Sequence, residues 1–251
     1  MKQFIKVAII MIALVTMVLP TLLLPLFAHA ATISPEIQSQ VLQVIKENPK
    51  ALIESVQNYQ VQQQELQIEN QSKEIKKAFQ KPRSLIGKSY TLGNQKAKHV
   101  LVEFSDFECP YCAQASKVLK EFSDIHKEDV LFVYKYLPLI QIHDQALPAA
   151  LASYAAGKQG KFWEYQEALF ANQKNLGDKL FVSIAKELNL DLNKFKTDRT
   201  SEESFKVVEE DLMLASKFGV MGTPFLVIDG EVFSGEISVK ALETFLISKT
   251  A

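Results

Sequence analysis

Cys109 and Cys112 are the only two cysteines in 251 residues, and they stand in the segment Cys109-Pro-Tyr-Cys112. Two thiols at that spacing can close on each other, so the pair has the reach for reversible thiol–disulfide exchange. The run His99 to Phe104 precedes the pair and reads as a buried strand. The stretch after it places Ala115, Val118, Leu119 and Phe122 on one helical face. A cysteine at a helix start lies near unpaired backbone N–H groups and the positive end of the helix dipole, both of which favour thiolate. Cys109 is therefore expected to be the nucleophile. Pro110 is tolerated in the first turn, where its missing N–H costs little, and Cys112 can reach back as the resolving thiol. In such motifs the first thiol titrates at roughly 3.5–7.5, which makes it a ready attacking and leaving group.

Two other uses of the pair compete with exchange: a metal site and a structural bridge. Zinc needs four ligands, yet there is no second cysteine pair, and His99, His126 and His143 lack a paired ligand spacing. No metal or cofactor is therefore expected. A purely structural bridge closing so small a loop would constrain the unfolded chain little. His126 and His143 read as surface and capping residues, and Trp163 and Tyr165 as packing in a helix.

The elements around the pair follow from periodicity and turn chemistry. Tyr90 to Leu92 and Val130 to Tyr136 read as strands, with a turn at Gly93-Asn94. Residues 138 to 217 are almost entirely helical in pattern. Gly222-Thr223-Pro224 then leads into a strand Phe225 to Ile228, the turn Asp229-Gly230, a strand Glu231 to Phe233 and a helix from Ser238 to Ile247. The order is βαβ, helices, ββα, which specifies an α/β domain over residues 81 to 251.

Upstream, Lys2 and Lys6 flank an apolar run from Val7 to Phe27 that ends in Ala28-His29-Ala30. Residues 1 to 30 are expected to be a cleavable signal. An uncleaved anchor is the competing reading, although Pro20 and Pro25 interrupt the run. Without that segment 26 basic side chains face 29 acidic ones, which gives no electrostatic reason to expect nucleic acid. With 47% apolar and 23% charged residues the chain is neither disordered nor fibrous. Outside the cytosol disulfides persist, which favours a redox role for a lone close pair.

Residues 31 to 80 form a separate helical pattern. Ser34-Pro35 supplies a cap and a first-turn proline; Ile37, Val41, Leu42 and Ile45 recur at helical spacing; Asn48-Pro49 stops the run. A second stripe carries Leu52, Val56, Tyr59 and Leu66, and a polar helical spacer continues to Lys81-Pro82. Such helices cannot bury their apolar faces alone, so the module is expected to pair with a second copy, or else to pack on its own domain or bind a different partner.

The segment Phe104-Ser-Asp-Phe-Glu-Cys-Pro-Tyr-Cys112, the helical insertion and Gly222-Thr-Pro224 together resemble the DsbA group of thioredoxin-fold oxidoreductases over about residues 86 to 250. Lys158-Gln-Gly-Lys-Phe-Trp-Glu-Tyr165 also resembles a stretch common in that group. The resemblance implies a thioredoxin fold with a helical insertion. It implies a cis Thr223-Pro224 peptide beside the pair, with the backbone of residue 223 hydrogen-bonding an extended substrate. Glu103 falls where the group carries a buried acid that assists proton transfer at the second cysteine. Thr223, Pro224, Pro110 and Tyr111 are expected on the substrate-binding side.

The implied partners are exported cysteine-containing proteins and an inner-membrane redox partner of the DsbB or DsbD type, in the periplasm. The N-terminal extension resembles a subgroup of DsbA-like proteins that dimerise through such helices, which implies a homodimer through residues 31 to 80. Two departures, Pro110-Tyr111 in place of Pro-His and Thr223 in place of valine, lean toward the isomerase-like DsbC and DsbG. Formation, isomerisation or both remain open at this point. An envelope holdase chaperone or structural protein with a non-essential cysteine pair is the alternative from another class.

Overall fold

The computed structural model describes residues 34–250. The apolar run Val7 to Phe27 and the expected cleavage site lie outside them. No helix among the described residues is long and apolar enough to cross a membrane.

The described residues divide into two compact units, with the boundary between Gln60 and Val61. In the first, helix α1 (Pro35–Glu47) starts as its sequence dictates: the Ser34 hydroxyl accepts from the Ile37 N–H at 3.3 Å, and Pro35 occupies the first turn. Helix α2 (Pro49–Ala78) follows after Asn48. Ile37, Val41, Leu42, Ile45, Leu52 and Val56 are all exposed, as apolar side chains one helical turn apart.

The second unit begins within α2. Ile75 near its C-terminal end is fully buried, among Leu85, Val100, Val102 and Phe218. The Gln71 side-chain amide donates to the carbonyls of Phe218 and Gly219 at 2.8 and 3.1 Å. The expected solvated spacer running to Lys81-Pro82 therefore differs from the observed helix. Residues 61–70 are exposed, but the last turns form part of the core of the domain that follows.

That domain is built on a five-stranded sheet: β1 (Thr91–Leu92), β2 (His99–Ser105), β3 (Val130–Tyr136), β4 (Phe225–Ile228) and β5 (Glu231–Phe233), in the order β1-β3-β2-β4-β5. Strands β2 and β3 are parallel, with Glu103 opposite Tyr134. Strand β4 runs antiparallel to β2, with Leu226 opposite Glu103. Both central strands are buried along their whole length because helices cover both faces, which explains their continuous apolar character. Asp229 and Gly230 both adopt positive φ, 50° and 87°, the requirement of the tight β4–β5 hairpin.

Strand alternation divides the side chains between two clusters. Val100, Val102 and Phe104 face the cluster that includes Ile75. Leu101 faces the other, with Cys112, Leu119 and Phe122 of helix α3 (Pro110–Ile125). Glu103 and Ser105 are in phase with Leu101 and so lie beneath α3.

The helical insertion comprises α4 (Ala146–Gly157), α5 (Phe162–Ala171), α6 (Asp178–Glu187), α7 (Leu192–Arg199) and α8 (Glu202–Lys217). It starts at Ala146 rather than near residue 138. The intervening turns are held by the Asp106 carboxylate, which accepts from the Leu139 N–H at 2.8 Å. A buried Lys135–Asp211 pair, 2.7 Å apart, ties β3 to α8, and Asp211 also accepts from the Tyr136 N–H at 3.0 Å. Helix α9 (Val239–Thr250) closes the chain's described part.

Candidate active site

Cys109 is the residue at which β2's connection becomes α3: its φ and ψ of −70° and 119° are extended, and Pro110 takes the first helical position. The thiols of Cys109 and Cys112 are unbridged. The Cys109 thiol donates to the Thr223 carbonyl at 3.3 Å, and the Thr223-Pro224 peptide is cis. Cys112, one turn into α3, is fully buried; the Asp106 N–H approaches its Sγ at 3.5 Å.

This placement separates the two thiols chemically. Cys109 is pulled down to about 5, chiefly by the Cys112 thiol that donates to it; burial opposes this, and the Thr223 side-chain hydroxyl and the N–H groups of Cys112 and Tyr111 add to it. Burial pushes Cys112 above the ordinary thiol range, and the neighbouring Cys109 and Glu103 push in the same direction. The outer thiol is set up to carry charge and the inner one to keep its proton.

Glu103 is fully buried, and neither carboxyl oxygen has a hydrogen-bond partner among the described residues. Burial raises it to about 8 and the charge on Cys109 adds to this. The Ser105 hydroxyl pulls the other way but lies outside hydrogen-bond geometry, so burial prevails. Tyr111, Thr223 and Pro224 line one groove of about 530 Å³, together with Gln114, Val118 and Ile237. Pro110 is exposed and does not line it. Of the four residues expected on the substrate side, the structure brings three together.

The loop carrying Cys109 is clamped from the insertion. The Gln173 side-chain amide donates to the carbonyls of Phe107 and Cys109 at 2.8 and 2.9 Å, and Glu108 accepts from the Gln145 N–H at 2.5 Å. Buried Asp106 accepts from the Glu108 N–H at 2.7 Å and pairs with His143 Nδ1 at 2.8 Å. For His143, partial burial works against the charged form, but the bond to Asp106 and its charge outweigh it, so the imidazole is raised. The sequence reading missed Asp106, Gln173 and this role of His143. Asp106 stands inside the motif, whereas Gln173 contacts it from more than sixty residues away and left no local signal. Among the described residues no group of three His, Cys, Asp or Glu side chains is arranged to hold a metal.

A family model described as Thioredoxin matches residues 86–247. The chain belongs to the thioredoxin family. A thioredoxin-like oxidoreductase from Silicibacter pomeroyi superposes with a TM-score of 0.60 at 27% identity, covering 69% of this chain and 96% of that one. The thiol-disulfide exchange protein alpha-DsbA2 from Wolbachia pipientis gives 0.64 at 19% identity, over 71% and 95% of the two chains. A linker-deleted N6K mutant of Proteus mirabilis ScsC gives 0.61 at 23% identity, over 88% and 98%. The last coverage exceeds the span of the thioredoxin domain, so the likeness of fold reaches into the N-terminal helices. Within the thioredoxin family the layout is thus DsbA-like, with an added helical region. Among curated sequences the chain is 32% identical over 164 residues to Na(+)/H(+) antiporter NhaA 3 of Salinispora tropica. That match takes in 65% of this chain and 25% of the antiporter, so the chain spans about a quarter of such relatives.

Proposed function

We propose that the protein is a thiol-disulfide oxidoreductase that forms or isomerises disulfides in exported proteins, in the periplasm. The observation that carries this reading is the asymmetry of the pair: Cys109 at the start of α3, within 3.3 Å of the Thr223 carbonyl and pulled down to about 5 chiefly by the Cys112 thiol, in front of a fully buried Cys112 pushed the other way. Cys109 attacks a substrate sulfur and forms a mixed disulfide; Cys112 attacks Cys109 and releases the substrate; the ionised form of Glu103 takes up the Cys112 proton. The groove of Tyr111, Thr223 and Pro224 accepts the extended substrate chain. An inner-membrane partner of the DsbB or DsbD type resets the pair.

The exposed apolar residues of α1 and the first half of α2 support self-association through these helices. Two reactive sites on one dimer favour isomerisation, because a misfolded chain can be held at one site while the other works. The burial of Ile75 fixes where the module can be cut: removing residues to 80 would strip the core, whereas a fragment beginning at Val61 retains it. The fragment is expected to be monomeric by light scattering and to lose reactivation of scrambled ribonuclease, while still reducing insulin. A dimeric fragment, or one equal to the longer protein on scrambled ribonuclease, would refute the role of these helices.

A further inference from the structure

Among the described residues, seven buried side-chain oxygen atoms lack a hydrogen-bond partner, and four of them belong to Glu103, Ser105 and Tyr134. All three residues are at most 1% exposed. Glu103 and Tyr134 are direct partners across the parallel β2–β3 pair, and Ser105 lies two residues along β2 on the same face. That face lies beneath α3 and its Cys112. Buried polar groups are normally paired, and clustered exceptions call for an explanation in chemistry. Packing does not supply one: phenylalanine would make the same ring contacts as Tyr134 with Phe107, Tyr136, Phe162 and Trp163.

We propose that Ser105 relays the proton between Cys112 and Glu103, and that Tyr134 is a positioning residue whose hydroxyl holds the Glu103 carboxylate once it forms. The inference rests on the reading of Cys112 as the resolving thiol. The resolving step starts from the ionised form of Glu103, whose share grows as pH rises toward about 8: Cys112 gives its proton to the Ser105 oxygen while the Ser105 proton passes to the Glu103 carboxylate. The Cys112 sulfur bonds to Cys109, the bond from Cys109 to the substrate sulfur breaks, and its electron pair leaves with the substrate as thiolate. The protein pair is oxidised by two electrons and the substrate disulfide is reduced; the reverse sequence oxidises a dithiol. Hydrogen bonds of this kind are often long before the reacting complex forms and tighten within it. The titratable groups around the path are Cys109, which precedes α3, Cys112 from α3, Glu103 from β2, and Tyr134 and Tyr136 from β3.

Ellman's reagent separates the steps in the full-length reduced protein. One equivalent of coloured thiol is released when Cys109 attacks, and a second when Cys112 resolves the mixed disulfide. Ser105→Ala and Tyr134→Phe are expected to slow the second phase about tenfold, the value of one hydrogen bond, without changing the first. Ser105→Thr, which keeps the hydroxyl, should restore it. In Tyr134→Phe the pH midpoint of the second phase should rise, because the carboxylate loses a donor. A second phase at wild-type rate and midpoint in both variants would overturn the relay. So would equal slowing of both phases, which marks a merely structural role. Absence of the first phase in the unsubstituted protein is a separate failure: it would sink Cys109 as nucleophile, and the inference with it.

Discussion

Serine in place of Cys109 is expected to bring disulfide exchange down to the uncatalysed background. The thiolate is the reacting species, and a thiol at about 5 is almost wholly ionised at pH 7, against a few per cent for an ordinary cysteine. The remaining thiol cannot stand in. Cys112 is fully buried, and its surroundings hold it protonated above the usual range. The complementary substitution Cys112→Ser should leave attack intact and block release, so that a substrate accumulates on Cys109. Insulin reduction followed by turbidity checks the first result, and mass spectrometry of the trapped adduct the second. Wild-type turnover by the Cys109→Ser protein would show that the chemistry lies elsewhere.

Glu103→Gln is expected to make the protein more stable and less active. A carboxyl raised from an unfolded value of about 4.3 to about 8 is neutral in the folded protein where the unfolded chain is ionised. Its stabilising contribution is complete below the unfolded value and is lost as pH rises through the folded one. At pH 7 the loss amounts to about 3.5 kcal/mol, and at pH 4 to almost none. The neutral amide escapes this loss. Urea unfolding should therefore show Glu103→Gln more stable than the parent by about 3.5 kcal/mol at pH 7 and nearly equal to it at pH 4. Its resolving step should fall about a hundredfold, the scale of a lost proton acceptor. A stability difference that is the same at both pH values would show that Glu103 is not held neutral by its burial.

The parts of the fold that were legible in the sequence are those specified by local chemistry. The apolar run into Cys109, the proline in the first turn of α3 and the Asp229-Gly230 hairpin each carry their own instruction. Ser34 and Pro35 started α1 for the same reason. Glu103 was different: its place on β2 is local, but which face of β2 turns inward depends on helices more distant in sequence, so its burial came only from family resemblance. Ile75 was invisible because its helix reads as Gln, Glu, Asn and Lys around a sparse stripe. Its partners Leu85, Val100 and Phe218 meet it only in the folded domain. The clamp on the Cys109 loop was hidden likewise, since Gln145 and Gln173 are brought to it by the insertion. Ser105 had a readable signal, being two residues from Glu103 on the same face, but its lack of a partner is a property of the packed core alone.

The most direct test of the account is a pH titration of the reduced protein followed by ultraviolet thiolate absorbance, with Cys109→Ser alongside. One thiol should ionise with a midpoint near 5, in a transition absent from Cys109→Ser, with no second ionisation in the ordinary thiol range. A first midpoint near the ordinary cysteine value of about 8.5, or a transition near 5 that survives in Cys109→Ser, would contradict the division of roles between the two cysteines.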